Sequence, residues 1–579
     1  MADEATLSDE QKQYLAGFLS AVAARNGTGP GGASDPASIH RAAQDRFIAE
    51  GKKLVPEEEA KRKAHPLDMW DEISANAAAG RAPKGLDIFR HKFFGLFYVA
   101  PTQDSFMCRL RIPNGILAAH QLDGLASVVE TLGGGYADVT TRANLQIREV
   151  GPTSVIEMLT AIQDLGLTSR GAGADNIRNI TGSPTAGIDP QELIDTRPLA
   201  RALHFTILNH RELYGLPRKF NIALDGGGQV GVLEDTNDIG FTAVSVPEGA
   251  SVPAGVYFRM LLGGITGHGK FGQDAGIVLK PEELVPAAVA VVRVFIAFGD
   301  RTDRKRARLK YLLEAWGIER FMAEVEKELS FKPTKLVPEA CSPRGPILKH
   351  GHIGVHKQRQ KGLNYLGVVM PVGRMSAAQM RGLAQIARQF GSGTIRLTVW
   401  QNVILSDISD AKVAGARKAI EEIGLGTEAS PIRGALVACT GNTGCKFSAT
   451  DTKAQALYLA QHLESRVKLD QPINLHLTGC PHSCAQHYVG DIGLLGVKVA
   501  QGDDMIEGYS VMVGGGAGNE RSLAREIAKD VPFADLADLL EALLKGYLAR
   551  RQGGESFHEF AGRQSVDELK ALFAMEPAL

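Results

Sequence analysis

The feature of this sequence that most constrains its fold is a long internal repeat. The stretch beginning at Ile112 realigns with the stretch beginning at Met370, an offset of 258 residues, and the alignment continues without a gap to Asn144 and Asn402. Identical residues at matched positions are Pro113/Pro371, Gly115/Gly373, Gln121/Gln379, Gly133/Gly391, Gly135/Gly393 and Thr140/Thr398. Self-similarity at a fixed offset indicates a duplicated structural unit.

Each copy of the repeat has the pattern of strand, turn, helix, glycine turn and strand, followed by a further helix that we expect at 153–166 and 410–424. We interpret each copy as a β-α-β-α half-module, and the two halves as one α+β domain with pseudo-twofold symmetry. The chain of 579 residues is too long for a single hydrophobic core, so we expect three or four structural units.

The two copies differ in charge. Polar residues alternate with apolar ones on two predicted strands of the first copy, so they share a face: Arg109, Arg111, Arg142, Asn144, Gln146 and Arg148. In the second copy the four arginine positions are taken by Gly367, Val369, Trp400 and Ser406. Alternating polarity is also typical of a solvated sheet face. Four arginines with neighbouring amides favour an anionic ligand instead, because a guanidinium pairs with a carboxylate through two hydrogen bonds.

Four of the six cysteines form two close pairs, Cys439 with Cys445 and Cys480 with Cys484. Small and turn-forming residues surround them: Gly441, Gly444, Gly479 and Pro481. Four thiolates from two short loops are the ligand set of a [4Fe–4S] cluster or, less often, of zinc. Their spacings, C-x5-C and C-x3-C, fit poorly with zinc knuckles. Buried cysteines without a metal are the remaining alternative.

Composition and charge restrict the compartment and the partners. Lys plus Arg (64) nearly balances Asp plus Glu (65), so recognition of a charged partner must rely on local patches. The chain begins with an acidic segment that lacks the apolar stretch of a secretory signal, and no stretch is apolar enough to span a membrane. A thiolate-bound cluster suits a reducing compartment, so we expect a cytoplasmic location.

Several other segments carry structural predictions. Residues 8–26 predict an amphipathic helix, 27–37 a linker, and the run from Lys61 to Lys63 a solvated helical face. Residues 216–223 predict a strand with Lys219 and Asn221 on one face. Residues 301–310 predict a basic helix that faces solvent, nucleic acid or an anionic cofactor, and the lack of interleaved aromatic residues disfavours nucleic acid. Since no nicotinamide or flavin fingerprint is present, we expect electrons to come from another protein.

Taken together, these motifs resemble those of the sirohaem-dependent nitrite and sulfite reductases, in particular the ferredoxin-dependent nitrite reductases of bacteria and plants. The resemblance rests on the cysteine pairs, the duplicated module, the stretch from Thr140 to Arg148 and the stretch from Leu216 to Asn221, and it extends from about residue 67 onward. It implies a three-domain α+β fold with duplicated ferredoxin-like half-domains. No function is assigned to the preceding segment.

We divide the chain accordingly into five segments. They are an N-terminal helical extension and linker (1–66), the first ferredoxin-like half-domain (67–168), an α/β domain for sirohaem and substrate (169–345), the second half-domain (346–428) and an α/β domain for the [4Fe–4S] cluster and sirohaem (429–579).

The resemblance also implies roles for individual residues. Cys439, Cys445, Cys480 and Cys484 would bind a [4Fe–4S] cluster, with Cys484 also the axial ligand of the sirohaem iron. The residues implied to surround the substrate are Arg109, Arg178, Lys219 and Asn221. Those implied to lie against the sirohaem carboxylates are Arg142, Asn144, Gln146 and Arg148. The implied reaction is the six-electron reduction of nitrite to ammonium, with reduced ferredoxin as the donor and a monomeric enzyme.

The residue at position 221 bears on the substrate. Sulfite reductases of the resembled family typically carry lysine there, which suits a dianion, whereas nitrite reductases carry asparagine. Asn221 therefore favours nitrite, with reduction of sulfite to sulfide by the same cofactors as the alternative. A non-catalytic iron–sulfur electron-transfer protein is a further alternative, although it would have no use for the set Arg109, Arg178 and Lys219. A zinc-stabilised RNA-binding protein would be colourless when purified.

Overall fold

The computed structural model describes residues 38–573, so the helix predicted at 8–26 and the linker predicted at 27–37 lie outside the described residues. Four helices precede the first strand: α1 (Ser38–Ala49), α2 (Pro56–Lys63), α3 (Trp70–Ala78) and α4 (Asp87–His91). The predicted solvated face of α2 is wrong for Lys61. Its side chain is fully buried, and ion pairs with Glu58 and Asp175 compensate the charge of its ammonium.

The first half-module follows the predicted order of elements. It consists of β1 (Leu96–Val99), β2 (Ser105–Arg109), β3 (Ile116–Ala118), α5 (Ala119–Leu132), β4 (Tyr136–Val139), β5 (Leu145–Val150) and α6 (Val155–Asp164). The prediction of one continuous strand face from Arg142 to Arg148 is wrong at its start. Residues 142–144 lie in a turn, where Ala143 has a left-handed φ of 45°, and β5 begins at Leu145.

A six-stranded sheet with its own helices comes next. Its elements are β6 (Thr181–Gly182), α7 (Arg197–Asn209), β7 (Ile222–Asp225), β8 (Ile239–Val246), β9 (Gly255–Leu262), β10 (Gln273–Leu279), α8 (Leu284–Phe298), α9 (Leu309–Trp316), α10 (Ile318–Lys327) and β11 (Thr334–Lys335). The strand order is β11-β10-β9-β8-β7-β6; β6, β7 and β8 are parallel and the other pairs antiparallel. The apolar faces of β7 to β10 and of α7 to α10 share one core.

Two predictions for this domain are wrong. The strand predicted at 216–223 begins only at Ile222, so Lys219 and Asn221 lie in the segment that leads into it. The stretch 301–308 is a loop, and α9 begins at Leu309. Three of the four arginines of this loop form ion pairs with separate carboxylates, Arg301 with Glu58, Arg304 with Asp175 and Arg308 with Asp238. These three carboxylates come from distant parts of the sequence, and their ion pairs hold the loop in a non-helical conformation.

The second half-module repeats the first. Its elements are β12 (Gly354–Lys357), β13 (Leu363–Val368), β14 (Arg374–Ser376), α11 (Ala377–Phe390), β15 (Thr394–Leu397), β16 (Val403–Ser409) and α12 (Val413–Glu422). The helices predicted at 153–166 and 410–424 correspond to α6 and α12. Residues 114 and 372, which the repeat aligns, both adopt left-handed backbone conformations, with φ of 59° at Asn114 and 47° at Val372.

Each half-module contributes one strand to the sheet of the other half. The antiparallel sheets have the orders β1-β2-β5-β4-β14 and β12-β13-β16-β15-β3. Arg374 of β14 lies opposite Asp138 of β4, and Thr394 of β15 lies opposite Ala118 of β3. Residues of α5 and α11 belong to the same hydrophobic core. The predicted pseudo-twofold α+β domain is confirmed, and the exchanged strands make its halves inseparable.

The last domain has a five-stranded sheet with the order β17-β18-β19-β20-β21. Its elements are β17 (Leu436–Ala438), α13 (Thr452–Arg466), β18 (Leu475–Thr478), β19 (Ile492–Gln501), β20 (Asp504–Val513), β21 (Arg525–Pro532), α14 (Phe533–Arg550), α15 (Phe557–Arg563) and α16 (Val566–Phe573). The first three strands are parallel and the others antiparallel. None of the helices between residues 38 and 573 combines the length and the apolar character needed to cross a membrane.

Candidate cofactor and anion site

The two cysteine pairs lie after the carboxyl ends of neighbouring parallel strands. Cys439 follows β17 directly, and Cys480 follows β18 after one residue, Gly479. The Gly479 amide donates to the Cys439 sulfur at 3.3 Å, which joins the two loops. A Cβ at Gly479 would lie 1.7 Å from the Ser448 hydroxyl oxygen, so the close approach requires glycine. The carboxyl edge of parallel strands is where open α/β sheets bind ligands.

No three of the four cysteine sulfur atoms lie within 4.8 Å of one another. Zinc bound by thiolates in a tetrahedron holds its sulfur atoms about 3.8 Å apart, from a Zn–S bond of about 2.3 Å. Within residues 38–573, the one group of three metal-ligating atoms that all lie within 4.8 Å of one another is His462, Asp538 and Glu541, which contains no cysteine. Four thiols on two loops, near one another but farther apart than zinc requires, fit a cluster that offers each thiolate its own iron.

The four thiols are nevertheless close enough to influence one another. Burial raises the pKa of Cys480 to about 12, and the thiols of Cys484, Cys445 and Cys439 add to this increase. Burial also raises the pKa of Cys484, as does Cys439, while Lys219 and Arg109 oppose the shift. Thiols in such surroundings are protonated at neutral pH, and they ionise when a positively charged metal centre replaces their protons.

The Cys484 thiol lies near the cationic side chains of Lys219 and Arg109, and we call the space between them the cleft. Polypeptide surrounds its thiol closely enough to raise its pKa by desolvation, yet the side chain is exposed to solvent. The Thr141 hydroxyl, on the turn before β5, donates to the Cys484 carbonyl at 2.9 Å. The first half-module therefore forms one wall of this cleft, and the thiol is accessible from the cleft side.

Cationic side chains gather on the side of the cleft that faces Cys484. Burial, followed by the charges of neighbouring cations that include Arg142 and Arg178, lowers the pKa of Lys219 well below its usual range. Burial and then Arg109 have the same effect on the pKa of Arg178. Cations this close repel one another across a medium of low polarity unless an anion lies between them. The charge distribution therefore fits an anionic ligand in the cleft.

Two of these cations have free donors. The Arg109 guanidinium carbon lies 4.5 Å from the centroid of the Phe97 ring. Among the contacts of residues 38–573, neither this guanidinium nor the Lys219 ammonium donates a hydrogen bond or forms an ion pair. Arg178 is oriented differently, because it donates to the carbonyls of Ala172 at 2.8 Å and Ala174 at 2.7 Å.

Asn221 and Asp238 connect the lysine-bearing segment to the same wall. The Asn221 backbone amide donates to Asp238 at 2.8 Å, and the Asn221 side-chain oxygen is buried with no hydrogen-bond partner among residues 38–573. Arg308 donates to Asp238 at 2.7 Å. Thus Asp238 compensates one cation of the group. Arg142 instead donates to the amide oxygen of Asn237 at 2.9 Å, and within residues 38–573 Arg142, Arg178 and Lys219 form no ion pair with a carboxylate.

The structure separates Arg148 from the other residues predicted to contact the sirohaem carboxylates. Arg142 belongs to the cations of the cleft. Gln146 is buried opposite Arg109 in the sheet. Asn144 donates to the Leu110 carbonyl, and its side-chain oxygen has no partner in the described part of the chain. Arg148 instead binds the loop of the first cysteine pair, through the Thr440 hydroxyl and the Gly444 carbonyl, the latter at 3.3 Å. No sequence pattern indicated this contact between the half-module and the loop.

Two cations near the site, Arg218 and Lys92, were not predicted from the sequence, and Arg308 was predicted only as part of a basic helix at 301–310. Arg308 and Arg218 contribute to the lowered pKa values of Lys219 and Arg178 respectively, and Lys92 lies near Arg178. Arg218 could have been found, because it directly precedes Lys219 in the sequence. No motif in the sequence indicated Lys92.

The thiol loops and the cationic cleft together define an iron–sulfur protein that binds an anionic group beside its cluster. Two family models match the chain. The nitrite and sulphite reductase 4Fe-4S domain matches residues 173–333 and 432–578, and the nitrite/sulfite reductase ferredoxin-like half domain matches 98–165 and 356–423. The two half-domain segments begin at 98 and 356, so they have the same offset of 258 residues as the repeat.

Individual proteins match over most of the chain. The ferredoxin–nitrite reductase of Synechococcus elongatus is 36% identical over 85% of this chain and 96% of its own length. The chloroplastic ferredoxin–nitrite reductase of Zea mays is 34% identical over 85% of this chain and 89% of its own length. The structure of the Mycobacterium tuberculosis NirA protein superposes with a TM-score of 0.82 at 28% identity, covering 90% of this chain and 98% of that one.

The chain belongs to the nitrite and sulphite reductase family. Its cofactors are those of the family, a [4Fe–4S] cluster and sirohaem. The thiol spacing described above fits the cluster. The cationic cleft beside Cys484 fits sirohaem, an iron tetrapyrrole whose rim carries carboxylates.

Proposed function

We propose that this protein reduces nitrite to ammonium with six electrons that reduced ferredoxin supplies one at a time. The observation that carries the proposal is the pair of free cationic donors, on Arg109 and Lys219, that faces the Cys484 thiol across the cleft. An electron-transfer protein without catalysis has no need for such a pair. The ferredoxin–nitrite reductases of Synechococcus elongatus and Zea mays, which share most of the chain, support this choice.

We assign the cofactor ligands as follows. The residues that would hold the [4Fe–4S] cluster are Cys439, Cys445, Cys480 and Cys484, and Cys484 would also bind the sirohaem iron. Those that would lie against the sirohaem carboxylates are Arg142, Asn144, Gln146 and Arg148. When bound, the two cofactors supply electron transfer and an iron atom that accepts the substrate. The contact of Arg148 with the cysteine loop would then link the carboxylate site to the cluster site.

The side chains of the cleft bind and orient the substrate anion. Arg109, Arg178 and Lys219 compensate its negative charge, and the carbonyls that hold Arg178 fix the direction of its guanidinium. Donors preorganised in a site of low polarity stabilise developing charge without having to reorganise. One such donor contributes about 2–4 kcal/mol to transition-state stabilisation.

Proton supply is the second task of these side chains. The balanced reaction is NO₂⁻ + 8 H⁺ + 6 e⁻ → NH₄⁺ + 2 H₂O, so every turnover needs protons as well as electrons. Burial and neighbouring cations lower the pKa of Lys219 well below its usual range, which makes its ammonium a better acid than a solvated lysine. We assign Lys219 as the proton donor to the oxygen atoms that leave as water, and bulk water as the source that protonates it again.

Nitrite is favoured over sulfite by Asn221. An additional cation at this position would suit a dianion, whereas the amide of Asn221 leaves the charge of the site matched to a monoanion. Reduction of sulfite to sulfide is the alternative function. The unpartnered, buried oxygen of the Asn221 side chain points to a donor on the ligand or on an ordered water as its partner.

The remaining features of the proposal concern organisation and location. We retain the division into segments 1–66, 67–168, 169–345, 346–428 and 429–579, with sirohaem between the last domain and the domain that follows the first half-module. We also propose a monomer in the cytoplasm, where thiolates that bind a cluster are kept reduced.

Steady-state turnover of the purified holoenzyme tests the function. With reduced ferredoxin as the donor, we expect a higher kcat/KM for nitrite than for sulfite and ammonium as the product. A preference for sulfite with sulfide as the product would retain the cofactors but overturn the substrate assignment. Absence of turnover with either anion would overturn the catalytic proposal.

A further inference from the structure

The N-terminal helices α1 and α2 lie before residue 98, where the matches to the family models begin. A buried polar network centred on Glu58 fixes them to the six-stranded domain. The Glu58 carboxylate accepts from His40 at 3.0 Å, Gln44 at 2.9 Å and Arg301 at 2.7 Å, and it also contacts the Lys61 ammonium. Although burial opposes it, the charges of Lys61 and Arg301 hold the pKa of Glu58 well below its usual range. Glu58 is therefore a charged, fully paired anchor.

Lys61 extends from this anchor to two segments of the candidate site. Its ammonium donates to the Leu216 carbonyl at 2.8 Å and lies 3.4 Å from the Asp175 carboxylate. Asp175 belongs to the segment 171–178, which we call the arginine loop. Leu216 begins the segment 216–221, which we call the lysine segment. One buried ammonium thus bridges the two segments.

The contact between Lys61 and Asp175 lies close to Arg178, the cation of the arginine loop. The Ala174 carbonyl accepts from Arg178 at 2.7 Å, and Ala174 directly precedes Asp175. Arg304 donates to both oxygens of the Asp175 carboxylate, at 2.8 Å and 2.9 Å. The peptide that orients Arg178 is therefore next to a carboxylate that Lys61 and Arg304 hold in place.

The arginine loop and the lysine segment are also paired with each other. The Arg178 amide donates to the Phe220 carbonyl at 2.8 Å, and the Phe220 amide donates to the Asn176 carbonyl at 2.9 Å. Phe220 directly follows Lys219. A displacement of one segment along the other therefore changes the separation of the two cations, Arg178 and Lys219.

Arg178 and Lys219 repel each other, so their spacing needs support from outside the two segments. We propose that Lys61 is a positioning residue that clamps the arginine loop and the lysine segment, and so sets the spacing of Arg178 and Lys219 in the anion site. The identity of the anion rests on the function proposed above. The clamp does not, because the contacts that define it lie within the chain.

Substitution of Lys61 by methionine tests the clamp, with Lys63→Met as the matched control. Both lysines lie on α2, but Lys63 is exposed. In the holoenzyme we expect Lys61→Met to increase hydrogen exchange at the Arg178 and Phe220 amides about tenfold, because their mutual hydrogen bonds open more often. We also expect the KM for nitrite to rise on the order of tenfold, since a small displacement of a binding group weakens it strongly. Lys63→Met is expected to change neither quantity.

Asp175→Asn provides a second and independent variant. It removes the charge that Lys61 pairs with and is expected to accelerate exchange at the same two amides. Because both substitutions remove the contact between Lys61 and Asp175, the acceleration in the double variant is expected to be smaller than the product of the two single accelerations. If Lys61→Met does not accumulate as a folded holoenzyme, the Asp175→Asn exchange rates decide the question.

The outcomes distinguish the clamp from the proposed function. Unchanged exchange at both amides in Lys61→Met holoenzyme, or effects that multiply in the double variant, would overturn the clamp whatever the substrate. Faster exchange in an enzyme that does not reduce nitrite would support the clamp and overturn the function. Faster exchange with an unchanged KM would show that the clamp does not set the cation spacing, and would overturn its role in positioning.

Discussion

The replacement of Lys219 by methionine gives opposite expectations for activity and stability. The variant keeps most of the side-chain volume but removes the charge. In the folded protein this ammonium has no carboxylate partner among residues 38–573 and lies near Arg308, Arg142 and Arg178. Its loss leaves no anion stranded and relieves repulsion. We therefore expect the thermal midpoint of the holoenzyme to stay the same or to rise.

The expected loss of activity follows from the same free donor. A preorganised cation in a site of low polarity contributes about 2–4 kcal/mol to transition-state stabilisation, which corresponds to a decrease of roughly 30- to 900-fold in kcat/KM. Because Lys219 is assigned to proton donation as well as to binding, we expect kcat to fall together with kcat/KM. A role in binding alone would raise KM and leave kcat unchanged.

The pH dependence gives an additional signature. Burial and nearby cations place the pKa of Lys219 below 10.5, the usual lysine value, in the folded protein. Between the lowered pKa and 10.5 the unfolded chain binds more protons, so the free energy of unfolding rises with pH across this interval. The variant is expected to lose this rise. The activity of the wild type, which needs the protonated ammonium, is expected to fall across the same interval.

The assay combines steady-state kinetics with nitrite and thermal unfolding of the same holoenzyme preparations. Lys335→Met is the matched control, because Lys335 is exposed on β11 and remote in sequence from the cleft segments. The control is expected to retain wild-type kinetics. A Lys219→Met enzyme with wild-type kcat/KM, or one whose thermal midpoint falls while its cofactor content is normal, would refute the reasoning from an unpaired cation.

Three further predictions concern other parts of the site. Asp138→Asn removes a buried carboxylate that pairs with Arg148 and Arg374, and we expect the free energy of unfolding in urea to fall by about 3–5 kcal/mol. Although burial opposes it, neighbouring cations lower the pKa of Asp138 below 3.8. The wild type should therefore lose this stabilisation only as the pH falls through that lowered value. Equal urea midpoints for the wild type and the variant at pH 7 would contradict the pairing. Asn221→Lys adds a cation beside the anion, so the ratio of kcat/KM for sulfite to that for nitrite should rise, and an unchanged ratio would show that this position does not select the substrate. Cys484→Ser should abolish both the haem and the iron–sulfur absorption while the circular dichroism of the fold persists, and retention of either absorption at wild-type intensity would exclude the shared ligand.

The sequence predicted those features that depend on local patterns. The half-modules, their helices and the positions of the cysteine pairs follow from periodicity, glycine placement and spacing, all of which act over a few residues. Alternation along β2 likewise places Cys108, the neighbour of Arg109, on the apolar face, and it is buried in the core. The second copy of the repeat added information that a single copy would not have provided, since the loss of its four arginines indicated which half carries the charge.

The features that the sequence did not predict depend on contacts between distant segments. Lys61 looked like part of a solvated run, because nothing near it in the sequence reveals that Asp175 and Leu216 meet it in the folded protein. The loop at 301–308 has the composition of a basic helix, but its arginines bind carboxylates from three different segments. Arg148 fitted a strand face well, while its partner on the cysteine loop is 296 residues away.

The exchanged strands have a consequence for how the chain is made. The edge of β4 is completed by β14, and Asp138 and Arg374, which face each other there, are 236 residues apart. At a synthesis rate of about 5–20 residues per second, that edge waits on the order of 10–50 s on the ribosome before its partner emerges. An unpaired edge is an aggregation risk during this time. The strand connectivity is that of a strand-exchanged dimer joined into one polypeptide. A chain cut between the halves must therefore reassemble from two fragments before the cleft can form.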